Sequence, residues 1–113
     1  MPYLKVSLSC PVTVDDEKKL HKDILEITHR TLTEKPPMME FSGGHRFWYR
    51  NCSPEGAYVE LHLIDRYTLE QQEAFIKEIC DYLGDNYPIP KSEIVVNIIV
   101  LPIWGKGGET LKA

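Results

Sequence analysis

The sequence predicts an α/β chain, an α+β sandwich of two tandem β-α-β units whose four-stranded sheet carries two helices on one face. Three observations predict it. Tyr3-Leu4-Lys5-Val6-Ser7-Leu8 and Tyr58-Val59-Glu60-Leu61-His62-Leu63 are matching strand patterns 55 residues apart. The helix caps Thr13 and Thr68 keep that offset of 55. Proline-containing helix exits then fall at 36–37 and 88–90, about the same distance apart. Each half therefore reads strand, helix, strand, and a right-handed crossover makes the strands of each unit parallel. The 113 residues form one domain with repeats at 2–56 and 57–113, enough chain for a single core. Two helices cover one sheet face, so the bare opposite face predicts an oligomer.

Tyr3 to Ser9 is the first strand, one residue after a Met-Pro start. Thr13 or Asp15 caps the first helix, with Asp16 three residues beyond Thr13. Leu20, Ile24, Ile27 and Thr31 then follow the helical period over 14–32, until Lys35-Pro36-Pro37 stops it. Met38 to Ser42 leads to a Gly43-Gly44 turn, and Met38-Met39 fills the core. His45 to Arg50 alternates and is rich in aromatics, which predicts a strand. After a loop, Ala57 to Ile64 is the next strand. Thr68 with Gln71 forms a capping box for a helix striped by Leu69, Gln72, Ile76, Ile79 and Leu83, with Phe75 beside the stripe. Gly84, Pro88 and Pro90 end it. Glu93 to Leu101 is nearly all β-branched and aliphatic, the pattern of a strand buried on both faces. The tail from Pro102 to Glu109 is a Gly-rich turn or short hairpin.

Composition excludes several function classes. Thirteen basic against seventeen acidic residues give a net charge of −4, which argues against binding nucleic acid or acidic membranes. No apolar run reaches membrane-spanning length, and the start is not a signal peptide, so the expected location is cytoplasmic. Cys10, Cys52 and Cys80 are odd in number and widely spaced, which suggests neither a disulfide framework nor zinc. His21, His29, His45 and His62 lack metal-ligand spacing, so no metal is assigned. Gly105 to Gly108 lacks the spacing of a phosphate loop. The Arg46, Trp48 and Arg50 face resembles a single-strand stacking platform, yet in an acidic chain a half-buried strand at a subunit interface is the better reading.

Pro2 is the candidate of most chemical interest. Aminopeptidases commonly remove Met in front of a small residue, which would leave a secondary amine at a strand tip. Burial disfavours the charged amine and lowers its pKa from the ordinary value of roughly 7.7–8.0. A base poised near neutrality is what proton abstraction beside a carbonyl requires. His29 shares a helix face with Leu25 and Leu32, as a site histidine or a core residue. Arg66, ahead of a helix N-terminus, gains nothing from the helix dipole. It is either spare to clamp a carboxylate or a solvated partner of Asp65. Tyr67 offers a hydroxyl or packs, and Lys35 is a helix-end cation.

The Met-Pro start, the strand behind it and two β-α-β units resemble the tautomerase superfamily, over essentially the whole chain at the level of the repeat. Trp104-Gly105-Lys106-Gly107-Gly108-Glu109 is similar to the C-terminal turn of 4-oxalocrotonate tautomerases, whose aromatic residue walls the site. Thr28-His29-Arg30 with Leu32-Thr33 resembles the helix segment of cis-3-chloroacrylic acid dehalogenase that supplies a site histidine. Lys35-Pro36-Pro37 resembles the place in macrophage migration inhibitory factor whose lysine lines the pocket, and Asn97 falls where that family has a pocket asparagine. Pro11-Val12 departs from members with an arginine at the first strand end, and Arg66 takes the corresponding place in the second repeat.

The resemblance implies a homotrimer that moves a proton within a small keto or enol carboxylate, with no cofactor. Pro2 would be the general base and Arg66 the carboxylate clamp. His29, Lys35 or Tyr67 would offset enolate charge, with Asn97 in the pocket and Trp104 excluding water. The alternatives are a hydratase or dehalogenase of unsaturated acids with Pro2 as acid, and a non-enzymatic trimeric binding or signalling protein. Hydrolytic dehalogenation ranks lower because the acidic residue that positions its water has no secure counterpart, Glu109 belonging to a different motif.

Overall fold

The computed structural model describes residues 2–49, 53–64 and 67–112. Alternation along the first strand, β1 (Tyr3–Leu8), divides it into two faces. Leu4, Val6 and Leu8 are fully buried, while Tyr3, Lys5 and Ser7 lie on the opposite face. Helix α1 (Val14–Thr31) starts at a complete capping box: Asp16 N–H donates to Thr13 Oγ1 at 3.1 Å, and Thr13 N–H to Asp16 Oδ2 at 2.9 Å. The first half closes with β2 (Met38–Ser42).

The second half repeats the plan with β3 (Ala57–Leu63), α2 (Leu69–Asn86) and β4 (Ile94–Val100). Helix α2 has its own box between Thr68 and Gln71. The sheet order is β2-β1-β3-β4. Strands β1 and β2 are parallel, β3 and β4 are parallel, and β1 meets β3 antiparallel. Lys5 faces Glu60, Tyr3 faces His62 and Ser7 faces Tyr58, so the repeats meet about a local two-fold axis.

Leu20, Ile24 and Ile27 of α1 and Phe75, Ile79 and Leu83 of α2 cover the buried residues of β1 and β3 in one cluster. Burying each such side chain contributes roughly 1.5–3 kcal/mol. Thr28 and Thr31 enter this core because their hydroxyls bond back to the carbonyls of Ile24 and Ile27, at 2.9 and 2.7 Å.

Four sequence expectations need correction. Residues 45–49 form no strand, and Arg50 lies outside the described residues; the partner of β1 is Met38–Ser42. The aromatic segment has the composition of a strand but no strand beside it. Its amides go elsewhere, from His45 to the Leu8 carbonyl and from Phe47 to the Pro54 carbonyl. Met38 is exposed on the open face, and only Met39 packs against the core. Strand β4 is an edge strand buried on one face, with Val95 and Ile99 each 39 % exposed on the other. Helix α2 runs through Gly84 to Asn86 before Pro88 stops it. The tail is a hairpin of β5 (Ile103–Lys106) and β6 (Glu109–Lys112). Gly107 and Gly108, with φ of 60° and 83°, supply the turn that only glycine takes easily at both positions.

Candidate active site

Chain direction gathers the candidates. Strands β1 and β2 begin, β3 and β4 finish, α1 ends and α2 begins at one end of the fold. Pro2 is buried there, and its carbonyl accepts the Met38 N–H at 2.8 Å, which ties the tip of β1 to β2. A residue without an amide hydrogen suits the first place of a strand. Pairing of Tyr3 with His62 sets Pro2 beside the Leu63 end of β3, where Leu101 N–H donates to the Leu63 carbonyl at 2.7 Å. The register makes Pro37 and Leu63 its neighbours on β2 and β3, and both are buried.

The other candidates sit around this tip at different depths. Lys35 is exposed in the turn before β2, its backbone N–H on Thr33 Oγ1 at 3.1 Å. Tyr67 is half-buried against the core, its carbonyl held by Gln72 Nε2 at 3.0 Å. Trp104 follows β4 at the same end, half-buried, and its indole Nε1 is enclosed without a hydrogen-bond partner among the described residues. His29 is in the last turn of α1 with its side chain 55 % exposed, Nε2 lying 4.0 Å from the Glu34 carboxylate. Arg66 lies outside the described residues.

Asn97 is elsewhere. It pairs with Glu60 and, through β3, with Lys5, about 10 Å along the strands from Pro2. Its Nδ2 donates to the Tyr58 hydroxyl. One protomer therefore does not bring Asn97 to Pro2.

Two residues at this end escaped the sequence reading. The Tyr3 hydroxyl donates to Glu40 Oε2 at 2.6 Å, and that bond, with burial, pushes the phenol up to about 12, so it stays protonated at neutral pH. The His62 ring stands edge-on to Tyr3 at 5.3 Å, and its Nε2 is enclosed without a hydrogen-bond partner among the described residues. Alternation places both on the open face, and antiparallel pairing of the two repeats makes them neighbours. That pairing was the missing signal.

Among the described residues no group of three His, Cys, Asp or Glu side chains is placed to hold a metal ion. Cys10 and Cys80 are free thiols, and burial pushes both upward. No helix is long and apolar enough to cross a membrane.

Two β-α-β units closing a sheet ordered β2-β1-β3-β4, with helices on one face, make the fold of the tautomerase superfamily. The MIF2 protein of Leishmania major superimposes with a TM-score of 0.90 over 98 % of this chain and 97 % of that one, at 19 % identity. A fused 4-OT, described as an asymmetric trimer, gives 0.77 over 96 % and 94 % at 18 % identity. Pt0534, solved after inactivation by 2-oxo-3-pentynoate, gives 0.72 over 94 % and 93 % at 18 % identity. No family model matches the chain, and no curated protein matches it by sequence.

Proposed function

We propose that this chain is a cofactor-independent tautomerase that moves a proton within a small keto or enol carboxylate, with Pro2 as the free N-terminal base. The observation that carries the reading is Pro2 itself, buried at the tip of a central strand beside buried Pro37 and Leu63. Removal of Met1 turns its amide nitrogen into a secondary amine. The amine takes a proton from an enol oxygen or from carbon beside the carbonyl, and returns it elsewhere on the same molecule. A positioned base of this kind contributes about 10²–10⁴-fold. Arg66 holds the carboxylate, and Lys35, Tyr67 or His29 offsets charge growing on the enolate oxygen. Trp104 keeps water away from the amine, and Asn97 serves a pocket only where a neighbouring copy presents it. The inactivation of Pt0534 by a 2-oxo acid supports the substrate class.

The active form in this proposal is a homotrimer. Its support is the open sheet face, which leaves Val95 and Ile99 exposed and the His62 Nε2 without a bond, and the trimer described for the fused 4-OT. The test is turnover of phenylenolpyruvate and of a 2-hydroxydienoate by parent and Pro2→Ala. The parent rate should rise with pH through one ionisation, and Pro2→Ala should lower kcat strongly with little change in KM. A rate that falls through that ionisation shows Pro2 acting as an acid, as hydration of an unsaturated acid demands. An unchanged rate in Pro2→Ala removes Pro2 from the chemistry.

A further inference from the structure

Once Met1 is removed, Pro2 is the first residue, and chain ends fray unless something ties them down. Its nitrogen is left for chemistry, so the backbone holds it through the carbonyl, which accepts the Met38 N–H at 2.8 Å. Strand β2, which makes that bond, is an edge strand of five residues whose neighbour in the sheet is β1. The tip of β1 and the start of β2 therefore support each other where the amine needs a fixed direction.

A side-chain link crosses the same two strands. Tyr3 faces Met38 in the ladder, and its phenol reaches diagonally to Glu40, two residues further along β2, donating to Oε2 at 2.6 Å. On the other flank the His62 ring of β3 stands edge-on to Tyr3 at 5.3 Å. The Tyr3 ring is thus met from both neighbouring strands. Together the backbone bond and the phenol bond join the tip of β1 to β2 at Met38 and at Glu40. They also tie the turn that carries Lys35 and Pro37 to the residue that precedes β1.

We infer that Tyr3 and Glu40 are positioning residues of the Pro2 site, a clasp that holds the N-terminal amine in one direction. The clasp does not act through net charge. Lys5 stands between Glu40 and Glu60 in the ladder, so the two carboxylates of this row share a cation. The proton the clasp needs is secure, because the Glu40 bond and then burial push the phenol up to about 12, above the range in which an α-amine titrates. Subunit assembly over the open face does not compete with this role. Covering the phenol–carboxylate bond removes water from it and strengthens it. The catalytic meaning of the clasp rests on Pro2 being the base, whereas its hold on the chain end is read without turnover.

The Met38 amide reports on the clasp, because its acceptor is the Pro2 carbonyl. Tyr3→Phe keeps the ring beside His62 and loses only the hydroxyl. In hydrogen exchange on the full chain it should speed Met38 about tenfold, as loss of a bond to a charged group implies, while amides in the middle of β1 keep their rates. Glu40→Ala should do the same, and the double variant Tyr3→Phe/Glu40→Ala should add nothing further. Glu40→Gln keeps an acceptor oxygen and should restore most of the protection. With the clasp lost, kcat should fall about tenfold and KM should stay within about twofold, since a misdirected base loses rate and not binding. Met38 exchange unmoved by Tyr3→Phe overturns the inference, as does faster exchange of all β1 amides together, which is lost global stability. Faster Met38 exchange with kcat unchanged overturns it too. A lower assembly mass for Tyr3→Phe in light scattering does the same, because the pair then serves a subunit contact. A parent without Pro2-dependent turnover removes the tautomerase reading, and the clasp is then decided by the Met38 exchange alone.

Discussion

A secondary amine is an ordinary base in water and a weaker one where its cation loses solvation. At the tip of β1, Pro2 is buried, and the phenol of Tyr3 beside it remains protonated. Substitutions around it should separate binding from proton transfer. Arg66→Ala should raise KM more than it lowers kcat, by an amount corresponding to about 1.5–3 kcal/mol for a charge-assisted contact. An equal loss confined to kcat would move Arg66 from clamping the substrate to stabilising the transition state. Trp104→Ala should admit water and move the midpoint of the pH–rate profile up toward roughly 7.7–8.0, the ordinary range of an α-amine. An unmoved midpoint would leave the tryptophan without its water-excluding role.

Elements are positioned by local devices that can be removed one at a time. Loss of either capping threonine, Thr13→Ala or Thr68→Ala, should cost about 1 kcal/mol in urea unfolding. Gly56→Ala should cost more, roughly 1–3 kcal/mol, because the new methyl meets backbone and the Phe47 stem together. Between the helices, hydrogen bonds from Tyr82 and then Lys19 hold the Asp23 carboxyl below the usual carboxylate range. Its folded pKa is depressed, so its contribution is present above the unfolded value near ~3.9 and is lost as pH falls through the folded one. Asp23→Asn should therefore flatten the acid limb of a stability–pH curve, and an unchanged limb would place the sensitivity elsewhere.

The Thr68 capping box, the stripe of α1 and the spacing of β1 and β3 were legible because each rests on a local pattern. Thr13 was one of two cap candidates, and the stripe of α2 was only half right, since Leu69 and Ile76 are exposed and Phe75 is buried with Ile79 and Leu83. The strand expected at 45–50 does not form. Alternating aromatics state a preference for extended backbone, but whether a neighbour offers a ladder is a tertiary fact, and here the neighbour of β1 is Met38–Ser42. The site divides in the same way. Pro2, Lys35, Tyr67, Trp104 and His29 fall at one end because strand direction follows from the repeat. His62 and the Glu40 partner of Tyr3 depend on cross-strand pairs, and Asn97 was placed by resemblance to a position that one protomer keeps away from Pro2.

At the scale of the whole molecule, two helices on one face leave the other face of the sheet unfinished. Val95, Ile99 and Met38 are exposed there, with His62 Nε2 enclosed and unbonded among the described residues. Covering that face by three-fold assembly should give light scattering close to three times the 13.1 kDa chain mass at micromolar concentration. A monomer mass would end the trimer proposal. The most direct measurement of the central claim is a pH titration of the Pro2 nitrogen by NMR in ¹⁵N-proline-labelled protein. The claim predicts a secondary-amine signal that titrates once, with a midpoint below the ordinary range of roughly 7.7–8.0. A non-titrating amide signal, or a midpoint at or above that range, would contradict it.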